Sequence, residues 1–173
     1  MAKTKVIIMR GLPGSGKSTY LRNLDKTSEH MNIICSADNY PGLYDADNNI
    51  NFKLLSEAHD WCFAWFLRAC LKVSNNRLDP WPDRPRFIAV DNTNTRLFEM
   101  APYRMLARAL KLPVEFVKIG HAERDLELFA ERNTHNVPLN SLKRMHKGWE
   151  ELPPFWESET EIPVSATANL IPT

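Results

Sequence analysis

The sequence predicts an α/β fold in which helices flank a parallel sheet, and three of its features carry that prediction. Short apolar runs alternate with segments of helical periodicity along most of the 173 residues. Such alternation is typical of βαβ units, whose strands lie parallel. A glycine-rich loop at residues 11–18 joins the first apolar run to the first helical segment. The chain length suits one compact domain with its own core.

Apolar periodicity predicts five helices and four strands. The strongest helix covers residues 52–73, where Leu55, Ala58 and Cys62 recur at three- and four-residue steps. The other helices are expected at about residues 18–23, 97–111, 123–133 and 139–151. The strands are short and apolar, as expected for strands buried on both faces, and they cover residues 5–10, 32–35, 87–90 and 114–119.

Three stretches lack either pattern. Residues 39–51 contain Pro41 and Gly42 and are predicted to be a loop, and three prolines exclude a regular element between residues 74 and 86. The periodicity fails again after Pro153. We therefore predict a domain at residues 1–152, with a helical lid at about 121–147, and an irregular tail at residues 153–173.

Charge and cysteine content limit the partners and the compartment. Lysine and arginine total 22 and aspartate and glutamate 21, which gives a formal charge of +1. A near-neutral chain is not a module that coats long duplex DNA, although a local groove can still hold a short nucleic-acid end. Three scattered cysteines in apolar contexts indicate buried thiols in a reducing compartment. Since no apolar run approaches the ~20 residues of a membrane span, we expect a cytoplasmic protein without a membrane partner.

The loop at residues 11–18 fits the phosphate-binding pattern G-x-x-x-x-G-K-[ST] at every position. Its glycines let backbone N–H groups turn towards an anion, and the following helix adds the positive end of its dipole. Lys17 is expected to bridge the β- and γ-phosphates of ATP or another nucleoside triphosphate, and the Ser18 hydroxyl to bind Mg²⁺. With a strand before it and a helix after it, the loop predicts the P-loop NTPase/kinase fold. The expected nucleotide-binding residues are Gly11, Pro13, Gly14, Ser15, Gly16, Lys17, Ser18 and Thr19.

Two aspartates follow predicted strands, at the edge of the sheet where ligands of α/β proteins bind. Asp38 follows the second strand and Asp91 the third. A kinase needs a carboxylate near the acceptor hydroxyl and benefits from another near Mg²⁺. Either aspartate could instead cap a helix or form a turn. Asn92 and Asn94 are equally well explained as turn formers and as substrate contacts.

Basic residues concentrate in the last third of the chain. A helical hairpin that carries Arg132 could close over the triphosphate and stabilise charge on the transferring group. A solvated basic face is the alternative explanation, and it suits Lys143 and Lys147 better than Arg132.

Several motifs together resemble those of the P-loop 5′-hydroxyl polynucleotide kinases. They run in family order from about residue 5 to residue 150. The likeness is closer to the small kinase domains of NEDD4-binding proteins than to the phage enzymes. Beyond the phosphate-binding loop, the matching segments are residues 36–40 (Ser-Ala-Asp-Asn-Tyr), 56–61 (Ser-Glu-Ala-His-Asp-Trp), 90–94 (Val-Asp-Asn-Thr-Asn) and 131–133 (Glu-Arg-Asn), followed by Val137-Pro138 and Arg144-Met145.

The resemblance implies roles for some of the matching residues. Asp38 would be the general base and Lys17 the phosphate clamp. Arg132 would be the lid arginine and would also contact the nucleotide. Asn39 and the turn at residues 91–94 would line the acceptor side, with Asp91 also close to Mg²⁺.

Two departures from the phage enzymes bear on the acceptor. Pro41 stands where those enzymes have an arginine that holds the acceptor's phosphate, and Asn136 stands where they have a second lid arginine. The resemblance as a whole implies ATP- and Mg²⁺-dependent phosphorylation of a nucleic-acid hydroxyl, foremost a 5′-hydroxyl end of DNA or RNA. The departures favour the alternative, a kinase of a nucleoside, nucleotide or sugar. A non-catalytic nucleotide-binding switch is a third and weaker interpretation.

Overall fold

The computed structural model describes residues 4–28, 32–75 and 85–168, and its centre is one sheet with the strand order β2-β3-β1-β4-β5. Every pairing between these strands is parallel. The predicted parallel α/β fold is therefore confirmed. The strands are β1 (Lys5–Arg10), β2 (Ile33–Cys35), β3 (Phe87–Val90), β4 (Val114–Ile119) and β5 (Glu159–Ile162).

Helices cover both faces of the sheet. The helix α1 (Lys17–Lys26) packs on one face, and α2 (Leu55–Ser74) and α3 (Leu97–Ala109) pack on the other. Two shorter helices, α4 (Leu126–Arg132) and α5 (Leu139–Lys147), form the predicted helical hairpin, which we call the lid. The helix α6 (Val164–Ala168) follows β5, and short 3₁₀ turns cover Ala37–Asn39, Phe52–Leu54 and Glu123–Asp125.

Alternation along β1 divides its side chains between two hydrophobic cores. Val6 and Ile8 belong to the core beneath α2 and α3, whereas Ile7 and Met9 belong to the core beneath α1. Successive side chains of a strand point to opposite faces, and all four of these are buried. Because β1 is the central strand, the loop that follows it lies at the middle of the carboxyl edge of the sheet.

The segment after Pro153 corrects the predicted irregular tail, because it contains both β5 and α6. The strand β5 adds to the edge of the sheet by pairing with β4. Its sequence, Glu-Thr-Glu-Ile, has no apolar run, since an edge strand needs only backbone pairing and partial burial. The side chain of Glu159 reaches the fully buried guanidinium of Arg10, at 2.6 Å.

Several predicted boundaries shift for local reasons. The lid helix α5 ends at Lys147 rather than near residue 151, since Gly148 caps it. The helix α1 continues to Lys26, three residues beyond the expected end. A 3₁₀ turn precedes α2, so the α-helix starts at Leu55 rather than at residue 52. The proline-rich stretch predicted to be irregular lies for the most part, at residues 76–84, outside the described residues.

Cys35, Cys62 and Cys70 are free and buried, which confirms the prediction of buried thiols. Burial raises the pKa of the Cys70 thiol to about 12, and it raises the pKa of Cys35 as well. Thiolates are the reactive form of cysteine, so these side chains act as small core residues. Among the described residues, no helix combines the length and the apolar character needed to cross a bilayer.

Candidate active site

The carboxyl ends of the parallel strands open into a cleft of about 1010 Å³. One wall is the loop at residues 11–18, which we call the phosphate loop. The turns that follow β2 and β3 form the floor, and the connection between α4 and α5 at residues 133–138, the lid turn, forms the facing wall. Ligands of parallel α/β sheets bind at this edge. The cleft is therefore the candidate active site.

Two glycines of the phosphate loop have left-handed backbone conformations, with φ of 78° at Gly14 and 101° at Gly16. Their neighbours also exclude a side chain. A Cβ on Gly14 would lie 2.1 Å from the backbone oxygen of Phe129 in α4, and a Cβ on Gly16 would lie 2.7 Å from the side chain of Thr167 in α6. The loop thus needs glycine both for its own curvature and for the close approach of two later helices.

Lys17 is the first residue of α1 and is buried beside the cleft. Its Nζ donates a hydrogen bond to the backbone oxygen of Leu12, at 3.1 Å. Burial lowers the pKa of Lys17, while the nearby charges of Asp91 and Asp38 act in the opposite direction. The ammonium group is therefore poorly solvated, and an anion in the cleft would interact with it strongly.

Asp91 follows β3 and is only 7% exposed. Burial raises its pKa, and Lys17 and a hydrogen bond from the Ser18 hydroxyl oppose that effect. The carboxylate atom Oδ1 is buried and has no hydrogen-bond partner among the described residues. A hydroxyl and a carboxylate with an unsatisfied oxygen are ligands of the type that Mg²⁺ binds, so Ser18 and Asp91 fit the predicted magnesium site.

Asp38 lies on the 3₁₀ turn after β2, and its side chain is 49% exposed. Two hydrogen bonds fix the turn. The Ser36 hydroxyl accepts from the backbone nitrogen of Asp38, at 3.3 Å, and donates to the backbone oxygen of Asp91, at 2.9 Å. In addition, Oδ1 of Asn92 accepts from the backbone nitrogen of Ala37, at 3.0 Å. The two aspartates are thereby held at fixed positions in one cleft.

The predicted acceptor-side residues divide into two groups. Asp38, Asp91 and Asn92 line the cleft, although the amide of Asn92 already bonds within the protein. Asn39 is exposed and lies outside the cleft lining. The structure does not place Asn94 at the cleft, because its buried amide donates to the backbone oxygen of Met9, at 2.7 Å. Asn94 has a φ of 48°, so it serves as the left-handed residue of a turn.

Arg132 ends α4 and lines the cleft, half-buried. Its guanidinium has no ion-pair partner within the described ranges 4–28, 32–75 and 85–168. The next residue, Asn133, fixes the lid turn: its Nδ2 donates to the backbone oxygen of Ala130, and its Oδ1 accepts from the backbone nitrogen of Val137, each at 2.7 Å. The lid therefore presents a free guanidinium from a rigid turn.

Sequence reasoning missed several residues of the cleft. Their local sequence carries no signal, since each reaches the site only through contacts between distant segments. They lie on different elements of the fold, and none belongs to a contiguous motif. They are Tyr44, Phe52, Arg96, His135 and Thr167.

A family model described as "AAA domain" matches residues 6–152, most of the chain. The chain belongs to this family. It is also 32% identical over 145 residues to human NEDD4-binding protein 2, an alignment that covers 81% of the chain but only 7% of that much longer protein.

Solved structures show that this AAA-domain chain has the fold of P-loop kinases. A gluconokinase from Sinorhizobium meliloti 1021 superposes with a TM-score of 0.59 at 17% identity, over 98% of this chain and 89% of that one. Kti12 from Chaetomium thermophilum, in complex with ADP-AlF3, superposes with a TM-score of 0.57 at 16% identity, over 95% and 94%. The predicted P-loop fold is therefore confirmed.

Proposed function

We propose that the protein is a kinase that transfers the γ-phosphoryl group of ATP to a hydroxyl group of a nucleic acid, with a 5′-hydroxyl end as the favoured acceptor. One observation carries the proposal: a half-exposed carboxylate, Asp38, lies in the same cleft as the phosphate loop and close enough to Lys17 to interact with its charge. A nucleotide-binding switch needs the loop but has no use for this carboxylate.

The phosphate loop supports a nucleoside triphosphate as the donor. The first N–H groups of α1 have no partners within the helix and lie at the positive end of its dipole. Lys17 would bind the β- and γ-phosphates, and Arg132 would reach the same group of oxygens from the lid. Ser18 and Asp91 would hold Mg²⁺, which when bound neutralises charge on the β- and γ-phosphate oxygens.

Asp38 would act as the general base. The acceptor oxygen forms a bond to the γ-phosphorus while its proton passes to the Asp38 carboxylate. The bond between the γ-phosphorus and the oxygen that bridges to the β-phosphate breaks, which leaves ADP and the phosphorylated acceptor. Because the Asp38 side chain is half-exposed, it can then return the proton to water.

Two features of the cleft support a nucleic acid as the acceptor. Phe52 lines the cleft and is 75% exposed, and an exposed aromatic ring offers a surface on which a base can stack. The cleft is also lined by more cationic than acidic side chains, although the whole chain carries only +1. A triphosphate would occupy Lys17 and Arg132, which leaves further cations for phosphates of the acceptor. Those further cations are Arg22, Arg96 and Arg144.

A small-molecule acceptor such as a nucleoside, nucleotide or sugar is the second candidate, and one contact favours it. The Nδ2 of Asn136 in the lid turn donates to the backbone oxygen of Asp47 in the loop after β2, at 2.9 Å. This contact narrows the acceptor side of the cleft. If the acceptor side stays closed, the cleft suits a small molecule. The end of a nucleic-acid strand would need an opening on that side.

An acceptor screen tests the proposal. The full chain is incubated with Mg²⁺ and γ-labelled ATP beside DNA and RNA oligonucleotides with 5′-hydroxyl or 5′-phosphate ends, nucleosides, nucleotides and sugars. We expect label on the 5′-hydroxyl oligonucleotides alone. Asp38→Asn should abolish this transfer while nucleotide binding persists, because an amide cannot take the proton.

Each other outcome contradicts a distinct part of the proposal. Label on small molecules alone would favour the second candidate, and label on 5′-phosphate oligonucleotides would mean that another hydroxyl reacts. Nucleotide binding without transfer to any acceptor would leave only the switch. Transfer that persists in Asp38→Asn would mean that Asp38 is a turn residue and not the base.

A further inference from the structure

Asp38 belongs to a cluster that also contains Tyr44 and His135, which we call the acceptor-side clasp. The phenol Oη of Tyr44 donates a hydrogen bond to Oδ1 of Asp38, at 2.7 Å. The Nε2 of His135 lies 3.8 Å from Oδ2 of the same carboxylate. The rings of Tyr44 and His135 stack, with centroids 4.1 Å apart and planes 20° apart. Both carboxylate oxygens thus face a side chain of one stacked pair.

Tyr44 lies in the loop after β2, which we call the Tyr44 loop and which is stabilised by hydrogen bonds among its own residues. An antiparallel bridge joins Tyr44 to Ile50, and the carboxylate of Asp45 accepts hydrogen bonds from the backbone nitrogens of Asp47 and Asn49, at 2.9 and 2.8 Å. These bonds order the loop from within, and Tyr44 and Ile50 also pack against the core beneath α2 and α3. The loop can therefore present the Tyr44 ring as a fixed surface.

His135 comes from the lid turn, and a second contact ties that turn to the same loop. Asn133 fixes the turn from within, and the amide of Asn136 donates to the backbone oxygen of Asp47. The lid thus contacts the Tyr44 loop through a ring stack and a hydrogen bond. Since Arg132 ends α4, three residues before His135 of the lid turn, movement of the lid would move both residues together.

We propose that Tyr44 and His135 are positioning residues, which orient the Asp38 carboxylate towards the acceptor hydroxyl and make that orientation depend on closure of the lid. A half-exposed aspartate on a short turn otherwise rotates freely about its side-chain bonds. The bond from Tyr44 fixes one oxygen and leaves Oδ2, on the His135 side, to accept the proton. This inference rests on the proposed function of Asp38 as the base.

The chemistry of Tyr44 suits this role. Burial and the neighbouring Asp38 carboxylate raise the pKa of its phenol, so the group keeps its proton and remains a donor. A donor that cannot lose its proton orients a base without competing with it. Closure of the lid would then place Arg132 at the triphosphate and His135 at Asp38 in one movement, so that both sides of the reaction become ready together.

Two ring-preserving substitutions test the role of the polar atoms. Tyr44→Phe removes the hydroxyl and His135→Phe removes the ring nitrogens, while each keeps a ring for the stack. We expect kcat to fall about 10- to 100-fold for Tyr44→Phe, the range for loss of a hydrogen bond to a charged group. For His135→Phe the loss should be smaller, about 3- to 10-fold, since the 3.8 Å contact is longer. Affinity for a non-hydrolysable ATP analogue should stay unchanged in both.

The chain offers a matched control for each substitution. Tyr40→Phe removes a hydroxyl that also donates to a carboxylate, that of Glu57, but lies outside the cleft lining. His121→Phe replaces a histidine that also stacks on an aromatic ring, that of Trp149 at 4.2 Å, away from the cleft. Both controls should keep the wild-type kcat.

A third variant tests the link to the lid without any measurement of activity. Tyr44→Ala removes the ring itself, so amide hydrogen exchange should become faster at residues 133–138 of the lid turn, while β1 keeps its protection. Unchanged exchange there would overturn the link to the lid. A wild-type kcat in both Phe variants would overturn the positioning role, as would equal losses in the controls. If the wild-type protein transfers phosphate to no acceptor, the proposed function fails and the positioning role fails with it, whereas the exchange result still decides whether the ring stack holds the lid.

Discussion

At the scale of single residues, Lys17 and Asp38 occupy opposite environments that match the two tasks of phosphoryl transfer. Lys17 is buried, and desolvation lowers its pKa. Asp38 is half-exposed in the same cleft. A buried cation interacts strongly with a bound phosphate, and an exposed carboxylate can pass a proton to water.

Lys17→Ala should lower kcat at least ~100-fold, because it removes a charge directed at the transferring phosphoryl group. The fold should survive. Since folding lowers the pKa of Lys17, the folded state disfavours its charged form, and loss of the group costs little stability. Transfer kinetics beside thermal unfolding would check both expectations. Near-normal turnover would contradict the assignment of the phosphate loop.

Arg132 offers a test of the lid. Lysine would keep the charge but lose the planar fork that binds two phosphate oxygens, so Arg132→Lys should lose part of the activity. Arg132→Ala should lose about 10- to 1000-fold, mostly in kcat. Thermal stability should barely change, since Arg132 has no ion pair among the residues described.

Arg124→Ala is the matched control for Arg132, because it removes an exposed arginine that lies outside the cleft lining, eight residues earlier in the chain. Its kcat should equal that of the wild type. Full activity of Arg132→Ala, or its failure to fold, would mean that Arg132 belongs to a solvated or structural surface and not to a lid.

Apart from Arg132, which the basic helical hairpin predicts, the sequence predicts candidate site residues only where they are contiguous or follow a strand. The phosphate loop, Asp38 and Asp91 meet that condition, and all three reach the cleft. Tyr44 and His135 do not, since 91 positions separate them and only the lid and the loop after β2 bring them together. The motif at residues 90–94 suggests Asn94 as a substrate contact, but its left-handed φ shows that it occupies a turn position instead.

At the scale of secondary structure, β1 was predictable from its local sequence, whereas β5 was not. Strands β1, β3 and β4 have the predicted bounds because apolar residues make up most of each strand. The edge strand β5 contains two glutamates, so no apolar periodicity marks it. Its stability comes instead from backbone pairing with β4 and from the buried pair of Arg10 and Glu159.

Two substitutions on β5 distinguish the contribution of the buried ion pair between Arg10 and Glu159 from that of an exposed ion pair on the same strand. Glu159→Ala leaves the fully buried Arg10 without its carboxylate and should lower the free energy of unfolding by about 3 kcal/mol. Glu161→Ala makes the same change two residues later on the same strand. Because the Glu161 side chain is 59% exposed and, among the described residues, has an ion pair only with Lys118, its loss should cost less than about 1 kcal/mol. Urea unfolding measures both, and equal losses would contradict the importance of the Arg10 pair.

At the scale of the whole molecule, the cleft depends on both ends of the described chain. The phosphate loop follows the first strand, while Thr167 of the last helix donates to the backbone oxygen of Ser15, at 3.2 Å, and contacts the position of Gly16. The family match stops at residue 152. The segment beyond it nevertheless supplies the edge strand and the helix that packs on the phosphate loop.

A chain that ends at residue 152 should therefore fail to fold cooperatively, although it contains the whole matched region. It would leave Arg10 buried without Glu159 and expose the edge of β4. It would also remove Trp156, whose ring stacks on Phe116 at 5.6 Å. An unpaired buried charge alone costs about 3–5 kcal/mol, a large part of the 5–15 kcal/mol that stabilises a typical domain.

Circular dichroism and urea unfolding of chains ending at residues 152 and 168 make the comparison, with nucleotide binding as a second measurement. The chain ending at 168 keeps β5 and Thr167 and should behave like the full chain. The shorter chain should show a broad transition, or none, and should not bind nucleotide. A sharp transition with normal nucleotide affinity in the shorter chain would mean that β5 and α6 are dispensable additions to a sheet that is already complete.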